Sequence, residues 1–171
     1  YPVTDHLLKP QIFVYPLSEL GSFNEGAGQI ARNLDQLLKD EIVGEYLPFL
    51  PLYNASQVMH AQVEFIEFKN GKGVRYLTQF DQAPIPLNNY EMIYTFQGIT
   101  ADGKYYVAAV FPITHPDLPV DDKVTFDEEY SVEKFVADMA ESIETLENQT
   151  ADSFAPDLSV LDAVIRSMEI K

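Results

Sequence analysis

Asn89–Thr114 reads NYEMIYTFQGITADGKYYVAAVFPIT, two long β-type runs around Asp102-Gly103, the dipeptide that best marks a tight hairpin. A two-residue loop there sets Ala101 opposite Lys104, Thr100 opposite Tyr105 and Phe96 opposite Ala109. One face then carries Met92, Tyr94, Phe96, Val107, Ala109, Phe111 and Ile113, almost wholly apolar. The other carries Ile93, Thr95, Gln97, Ile99, Tyr106, Ala108 and Val110, mixed but still largely apolar. A sheet wetted on one side alternates cleanly; this one does not, so both faces are expected to be covered.

Upstream, Gln11–Pro16 reads as a first strand stopped by Pro16, which cannot donate to a ladder. Ser22-x-x-Glu25 is a capping-box pattern, and Ile30, Leu34, Leu37, Leu38 and Ile42 follow at helical spacing. A helix over about residues 24–42, broken at Gly44, is predicted. Tyr46–Tyr53, with Pro48 and Pro51, reads as a loop pressed on the body. His60–Lys69 and Val74–Asp81 form a second hairpin, with Asn70-Gly71 as its turn. That register lines Ala61, Val63, Phe65, Val74, Tyr76, Thr78 and Phe80 along an inner face. On the outer face it sets His60 opposite Asp81, Gln62 opposite Gln79 and Glu64 opposite Leu77, with Arg75 diagonal to Glu64. A bulge at Gly73 shifts the pairing by one.

Downstream, Gln82–Asn88 joins the two hairpins, and Thr114–Asp122 is an acidic proline loop. Ser131 then caps a helix with a stripe of Val132, Phe135, Val136, Met139, Ala140, Ile143 and Leu146. Asp157 caps a last helix carrying Leu158, Leu161, Val164 and Ile165, and Ser167–Ile170 reads as a short closing strand. The order is strand, helix, four antiparallel strands, helix, helix and a closing strand. With residues 1–10 as a lead-in, 11–171 form one α+β domain, an antiparallel sheet flanked by helices on both faces (an α/β/α sandwich).

This order resembles the PsbP-like α/β/α sandwich family. Ile12-Phe-Val-Tyr-Pro16 is similar to its opening strand ending in Tyr-Pro, and Gly103–Ala109 to the strand after its main turn. Leu161–Ile170 resembles its terminal helix, closing serine and final strand. The family includes a photosystem accessory protein, a Ran-binding import factor and many exported bacterial proteins. The resemblance implies an assembly or binding role rather than chemistry. The proline-rich stretch Tyr46–Tyr53 departs from the pattern, and no metal or partner site carries over.

Composition narrows the functional classes. The chain has 171 residues, 46% of them apolar, and a formal charge of −16, which repels nucleic acid and anionic membranes. From His115 onward there are 15 acidic and 4 basic residues, a net of −11. Without cysteine there is no disulfide scaffold, zinc–thiolate site or thiol enzyme. No apolar run reaches the roughly 20 residues a membrane span needs. The opening Tyr-Pro-Val-Thr-Asp suggests a trimmed chain, and ten tyrosines with no cysteine lean toward an extracytoplasmic protein, secreted, periplasmic or lipid-anchored. A monomer is expected.

Four features bear on chemistry. His60 with Asp81 is a base and its orienter, to which Ser56 would add a nucleophile, but no G-x-S-x-G elbow surrounds it. Asp117, Asp121 and Asp122, with Asp127, Glu128 and Glu129, offer the hard oxygens calcium takes, at spacings that are not an EF-hand's. His115 has no second imidazole at ligand spacing, so zinc is not expected. The polar outer face of the second hairpin, Tyr53, Asn54, His60, Gln62, Glu64, Arg75, Gln79 and Asp81, is a surface for a small polar ligand or a protein partner. The reading is a non-enzymatic binding domain without cofactor, presenting a sheet edge and the acidic loop. A hydrolase built on His60 and Asp81, and a calcium-stabilised structural module, are the alternatives.

Overall fold

The structure, a computed structural model, describes residues 1–121 and 132–171. Asp122, Asp127, Glu128, Glu129 and Ser131 therefore lie outside the described residues. The elements are β1 (Gln11–Pro16), α1 (Leu17–Phe23), α2 (Glu25–Asp40), β2 (Ser56–Phe68), β3 (Gly71–Asp81), β4 (Ile93–Thr100), β5 (Tyr105–Pro112), α3 (Val132–Glu147) and α4 (Leu158–Ser167). The strands form one antiparallel sheet in the order β1-β5-β4-β3-β2, and the fold is α+β.

The β4–β5 hairpin keeps the expected register, with Phe96 opposite Ala109 and Tyr94 opposite Phe111. Its loop is longer than two residues, because the side chain of Thr100 replaces the last ladder pair. Tyr105 N–H donates to Thr100 Oγ1, Gly103 N–H donates to Thr100 O, and Gly103 takes the left-handed φ of 68° that glycine tolerates. Alternate residues of the hairpin enter different cores. Met92, Tyr94, Phe96, Val107, Ala109, Phe111 and Ile113 pack with Leu146 of α3 and Leu158, Leu161 and Ile165 of α4. Tyr106 and Ala108 pack with Leu20 of α1 and Ala27, Ala31, Leu34, Leu37 and Leu38 of α2. Burying each of these large aliphatic side chains contributes about 1.5–3 kcal/mol. Gly98 and Gly73 are ladder partners, and the Phe96 ring lies across both; an added Cβ would meet ring carbons at 2.6 and 2.4 Å.

Several local expectations need correction. Leu17–Phe23 is a helix of its own, α1, and Ser22 lies inside it, its hydroxyl donating to Glu19 O. The cap of α2 is Asn24, whose Oδ1 accepts from Ala27 N–H at 3.0 Å. The two helices meet at Gly21 and Gly28, where a Cβ on Gly28 would lie 2.6 Å from Gly21 Cα. The second helix ends at Asp40, because Glu41 turns to φ 54° and its N–H closes on Leu37 O; Ile42 is left exposed.

The β2–β3 register differs more. Phe68 pairs with Gly71, so the turn residues are Lys69 and Asn70, and Glu64 lies directly opposite Arg75. Irregularities between Ala61 and Glu64 and between Gln57 and Met59 then shift the ladder, setting His60 opposite Thr78 and Ser56 opposite Asp81. Gln62, at φ 55°, sits at the first irregularity. The expected inner face is thereby split: Ala61 joins Leu77 and Tyr94, whereas Val63 and Phe65 pack with Val74 and Tyr76.

The stripe of α3 is buried only at Leu146, while Val132 and Val136 stay exposed. Asp157 caps α4 as expected, accepting from Ser159 Oγ and from Ser159 N–H at 2.7 Å each, and these bonds, the hydroxyl's first, hold its carboxyl below the usual range. The tail after α4 is not a strand. It is tied to the β2–β3 turn instead, Lys69 N–H donating to Met168 O and Asn70 exchanging two hydrogen bonds with Ile170.

Candidate functional site

Glu64, Arg75 and Asp81 of β2 and β3 are turned to internal use. Arg75 is buried, and its guanidinium lies along the Asp162 carboxylate, Nε to Oδ1 and Nη2 to Oδ2 at 3.1 Å each. It also donates to Glu64 Oε2 at 2.7 Å and to the carbonyl of Gln62. Tyr94 Oη donates to Asp162 Oδ1 at 2.8 Å, and Arg166 Nη2 to Glu64 Oε1 at 3.1 Å. Burial beside Asp162 pushes the Tyr94 hydroxyl far above its ordinary pKa. The guanidinium fork is thus filled from β2 and α4, which is what a cation in a dry interior requires.

Gln62 and Gln79 act likewise. Gln62 Nε2 donates to Leu146 O at 2.8 Å and Gln149 O at 2.9 Å, closing the C-terminal end of α3. Gln79 is fully buried; Nε2 donates to Asp81 Oδ2 at 2.8 Å, and Oε1 accepts from Asn88 N–H at 3.0 Å. Asn88 Nδ2 continues to Glu91 Oε2 at 2.9 Å, so this group pins the loop between β3 and β4.

The structure does not bring His60 and Asp81 together. They stand three ladder positions apart, roughly 10 Å along the strand and on opposite faces. His60 Nδ1 is buried and makes no hydrogen bond among the described residues. Tyr53 packs against Phe49 and Phe80 with centroids 5.1 and 5.3 Å away, and burial pushes its hydroxyl pKa up to about 12. Asn54 is exposed, its carbonyl accepting from Gln82. The aromatic trio borders a cleft of about 300 Å³ that Ile30, Leu47 and Leu52 also line.

The acidic loop is held from within. His115 is buried, packs its ring against Phe154 at 4.9 Å with the planes tilted by 52°, and accepts from Asp117 N–H, leaving the Asp117 carboxylate in solvent. Among the described residues, Asp117 and Asp121 included, no three carboxylates or imidazoles gather at a point that could hold a metal. A cleft of about 510 Å³ lies beside the hairpin turns with Lys39, Lys69 and Lys72 in its wall. Asp35 and Glu67 share that wall, Lys39 is paired with Asp35, and Lys72 Nζ is fixed on Leu38 O.

The sheet has two borders, β1 and β2, and the outer edge of β1 has no strand partner among the described residues. β1 bonds only to β5. Leu17 N–H donates to Lys104 O at 2.8 Å, continuing the register in which Pro16 faces Tyr105. In an antiparallel ladder the bonded residues alternate, so Gln11, Phe13 and Tyr15 aim their backbone at β5. Ile12, Val14 and Pro16 aim theirs outward, and the N–H that proline lacks falls on the open side. Ile12 and Val14 are 47% and 43% exposed. Their side chains share the face of Val107 and Ala109, the face that carries α4. On α4, Val160 and Val164 are also exposed. At 100° per residue both lie away from the buried stripe of Leu158, Leu161 and Ile165, on the solvent side of the helix that covers this face. Of the usual guards of a free edge, β1 has neither charge nor bulge, only the proline at its end.

Comparison with family models, with curated proteins and with solved structures finds no match to this chain. The open edge had one sequence signal, the Pro16 that ends an uncharged six-residue strand. What the sequence did not reveal is that β1 stands at the border of the sheet, which depends on pairing with a strand about ninety residues later.

Proposed function

We propose that this chain is a non-catalytic binding domain that takes an extended segment of a partner onto the open edge of β1. One observation carries the reading: an uncharged edge strand whose Ile12 and Val14 offer both backbone groups and aliphatic side chains to solvent. Strand addition supplies affinity through backbone bonds and specificity through alternate side chains. The element order, which resembles that of PsbP-like proteins, supports a binding role, as does the internal use of Arg75, Gln62 and Gln79. On its tyrosine-rich, cysteine-free composition we place the domain outside the cytoplasm.

The test is selection of displayed extended peptides on the immobilised chain, counter-screened on Val14→Pro. That substitution deletes an outward N–H and leaves the bonds to β5 in place. Peptides with alternating apolar residues should be enriched and then lost on the variant. Peptides held equally by both chains, no enrichment, or ester or phosphoester turnover that His60→Ala abolishes, each overturns the reading.

A further inference from the structure

We infer that the segment received by the β1 edge is the β1 edge of a second copy of this chain, the two strands running antiparallel about a two-fold axis at Val14. The inference rests on the edge being a binding surface and names its occupant. Such a contact must be self-complementary, and β1 is.

Residues Ile12, Val14 and Pro16 lie on the α4 face and Phe13 and Tyr15 on the α2 face. Joining two sheets with like faces aligned requires even residues to meet even residues. With Val14 opposite Val14, Ile12 meets Pro16 and Phe13 meets Tyr15, so aliphatic pairs form on one face and aromatic pairs on the other. The outward backbone groups match as well. The two Val14 residues exchange N–H···O bonds, and each Ile12 N–H finds a Pro16 carbonyl, which suits a residue that accepts but cannot donate. The same register carries the Lys9 end of one copy toward the Glu19 end of the other, and both residues are exposed. Two five-stranded sheets become one of ten strands, and the Ile12, Val14, Val160 and Val164 surfaces of both copies fall on one side of it.

The chain's charge of −16 does not forbid this. Five of the 27 acidic residues, Glu133, Asp138, Glu141, Glu144 and Glu147, sit on α3, which packs on β2 at the opposite border of the sheet. Four strand spacings, roughly 19 Å, separate that border from β1, more than two Debye lengths of about 8 Å at physiological salt. The charges near the ends of β1, Lys9 before it and Glu19, Arg32, Asp35, Asp102 and Lys104 around Leu17, are of both signs. Association should therefore strengthen as salt rises from low to physiological concentration.

The experiment is sedimentation velocity from about 1 to about 500 μM, the range over which a small interface forms, on the chain, on Val14→Pro and on Ile12→Lys. The expected result is a reversible dimer whose dissociation constant rises at least tenfold in both variants while their melting temperatures stay near that of the parent. Because the chain has no cysteine, Val14→Cys gives a second readout. Paired strands bring the two Cα atoms to about 5.5 Å, within disulfide reach, so oxidation should yield a covalent dimer, whereas Glu67→Cys on β2 should not. A monomer at every concentration, or a dimer that both edge variants leave intact, overturns the inference. A monomer that still binds selected peptides through Val14 overturns the second copy alone; a monomer that binds none overturns the edge reading with it.

Discussion

Arg75 on β3 and Asp162 on α4 lie fork to fork, two 3.1 Å hydrogen bonds joining residues 87 positions apart in the chain. The pair clamps the last helix to the sheet.

Breaking that pair from one side should be expensive. Asp162→Ala strands a buried guanidinium and removes the acceptor of Tyr94 Oη, and should lower stability by about 3–5 kcal/mol in urea unfolding. Replacing both partners, Arg75→Met with Asp162→Leu, should recover most of the loss, because no charge is then left buried. A double variant as unstable as the single one would refute this account.

Gln62 carries two opposed effects. Its left-handed φ of 55° costs about 1 kcal/mol, and its amide closes the end of α3. Gln62→Ala keeps the strain and loses the bonds, so it should destabilise by about 1–2 kcal/mol. Gln62→Gly loses the bonds but relieves the strain and should come out near neutral. Equal losses in the two variants, read from chemical denaturation, would show that the backbone is unstrained there.

The glycine pair under Phe96 predicts an asymmetric rescue. Gly98→Ala should cost about 1–3 kcal/mol by overpacking, and Phe96→Leu in the same chain should restore part of it. Gly73→Ala should not be restored, because its Cβ would also meet the carbonyl of Gln97 at 2.4 Å. Thermal unfolding of the four variants decides it.

His6 gives a pH dependence. Its Nδ1 accepts from Leu8 N–H at 2.9 Å while Nε2 donates to Met92 O at 2.9 Å, which describes a neutral ring. Burial lowers its pKa from 6.5, the hydrogen bonds and Glu91 opposing. The unfolded chain therefore takes the proton first. The contribution is complete above pH 6.5 and is lost as pH falls through the lowered folded value. His6→Gln should flatten that part of the melting-temperature profile between pH 7.5 and 5. An unchanged slope would assign the acid sensitivity to other groups.

The hairpin around Asp102-Gly103 was legible because Thr100 caps its loop without moving the register, so alternation on either side reads true. The second hairpin was not. Two irregularities within thirteen residues of β2 reset which side chains share a face, and neither falls on a glycine or proline that would announce it. Hence Glu64 could be placed near Arg75 from the sequence, while the partner that completes the fork, Asp162, could not; no local pattern links residues that far apart. Asn24 displaced Ser22 as a cap for a similar reason: α1 exists because Gly21 and Gly28 let two helices touch, and that contact is tertiary. The sequence reading set Gln62, Glu64, Arg75 and Gln79 on one outer face for a ligand or partner, whereas in the fold all four make internal hydrogen bonds. That α3 takes Gln62, and α4 takes Arg75 and Glu64, follows only from the packing.

The place of β1 in the sheet has a consequence for synthesis. Its single neighbour, β5, begins at Tyr105, roughly ninety residues after β1 ends. At about 5–20 residues per second, a ribosome needs roughly 5–20 s to deliver it. During that interval neither edge of Gln11–Pro16 can pair within this domain, so the nascent chain passes through a window in which both edges of the strand are open to other chains, and that window narrows only when β5 arrives.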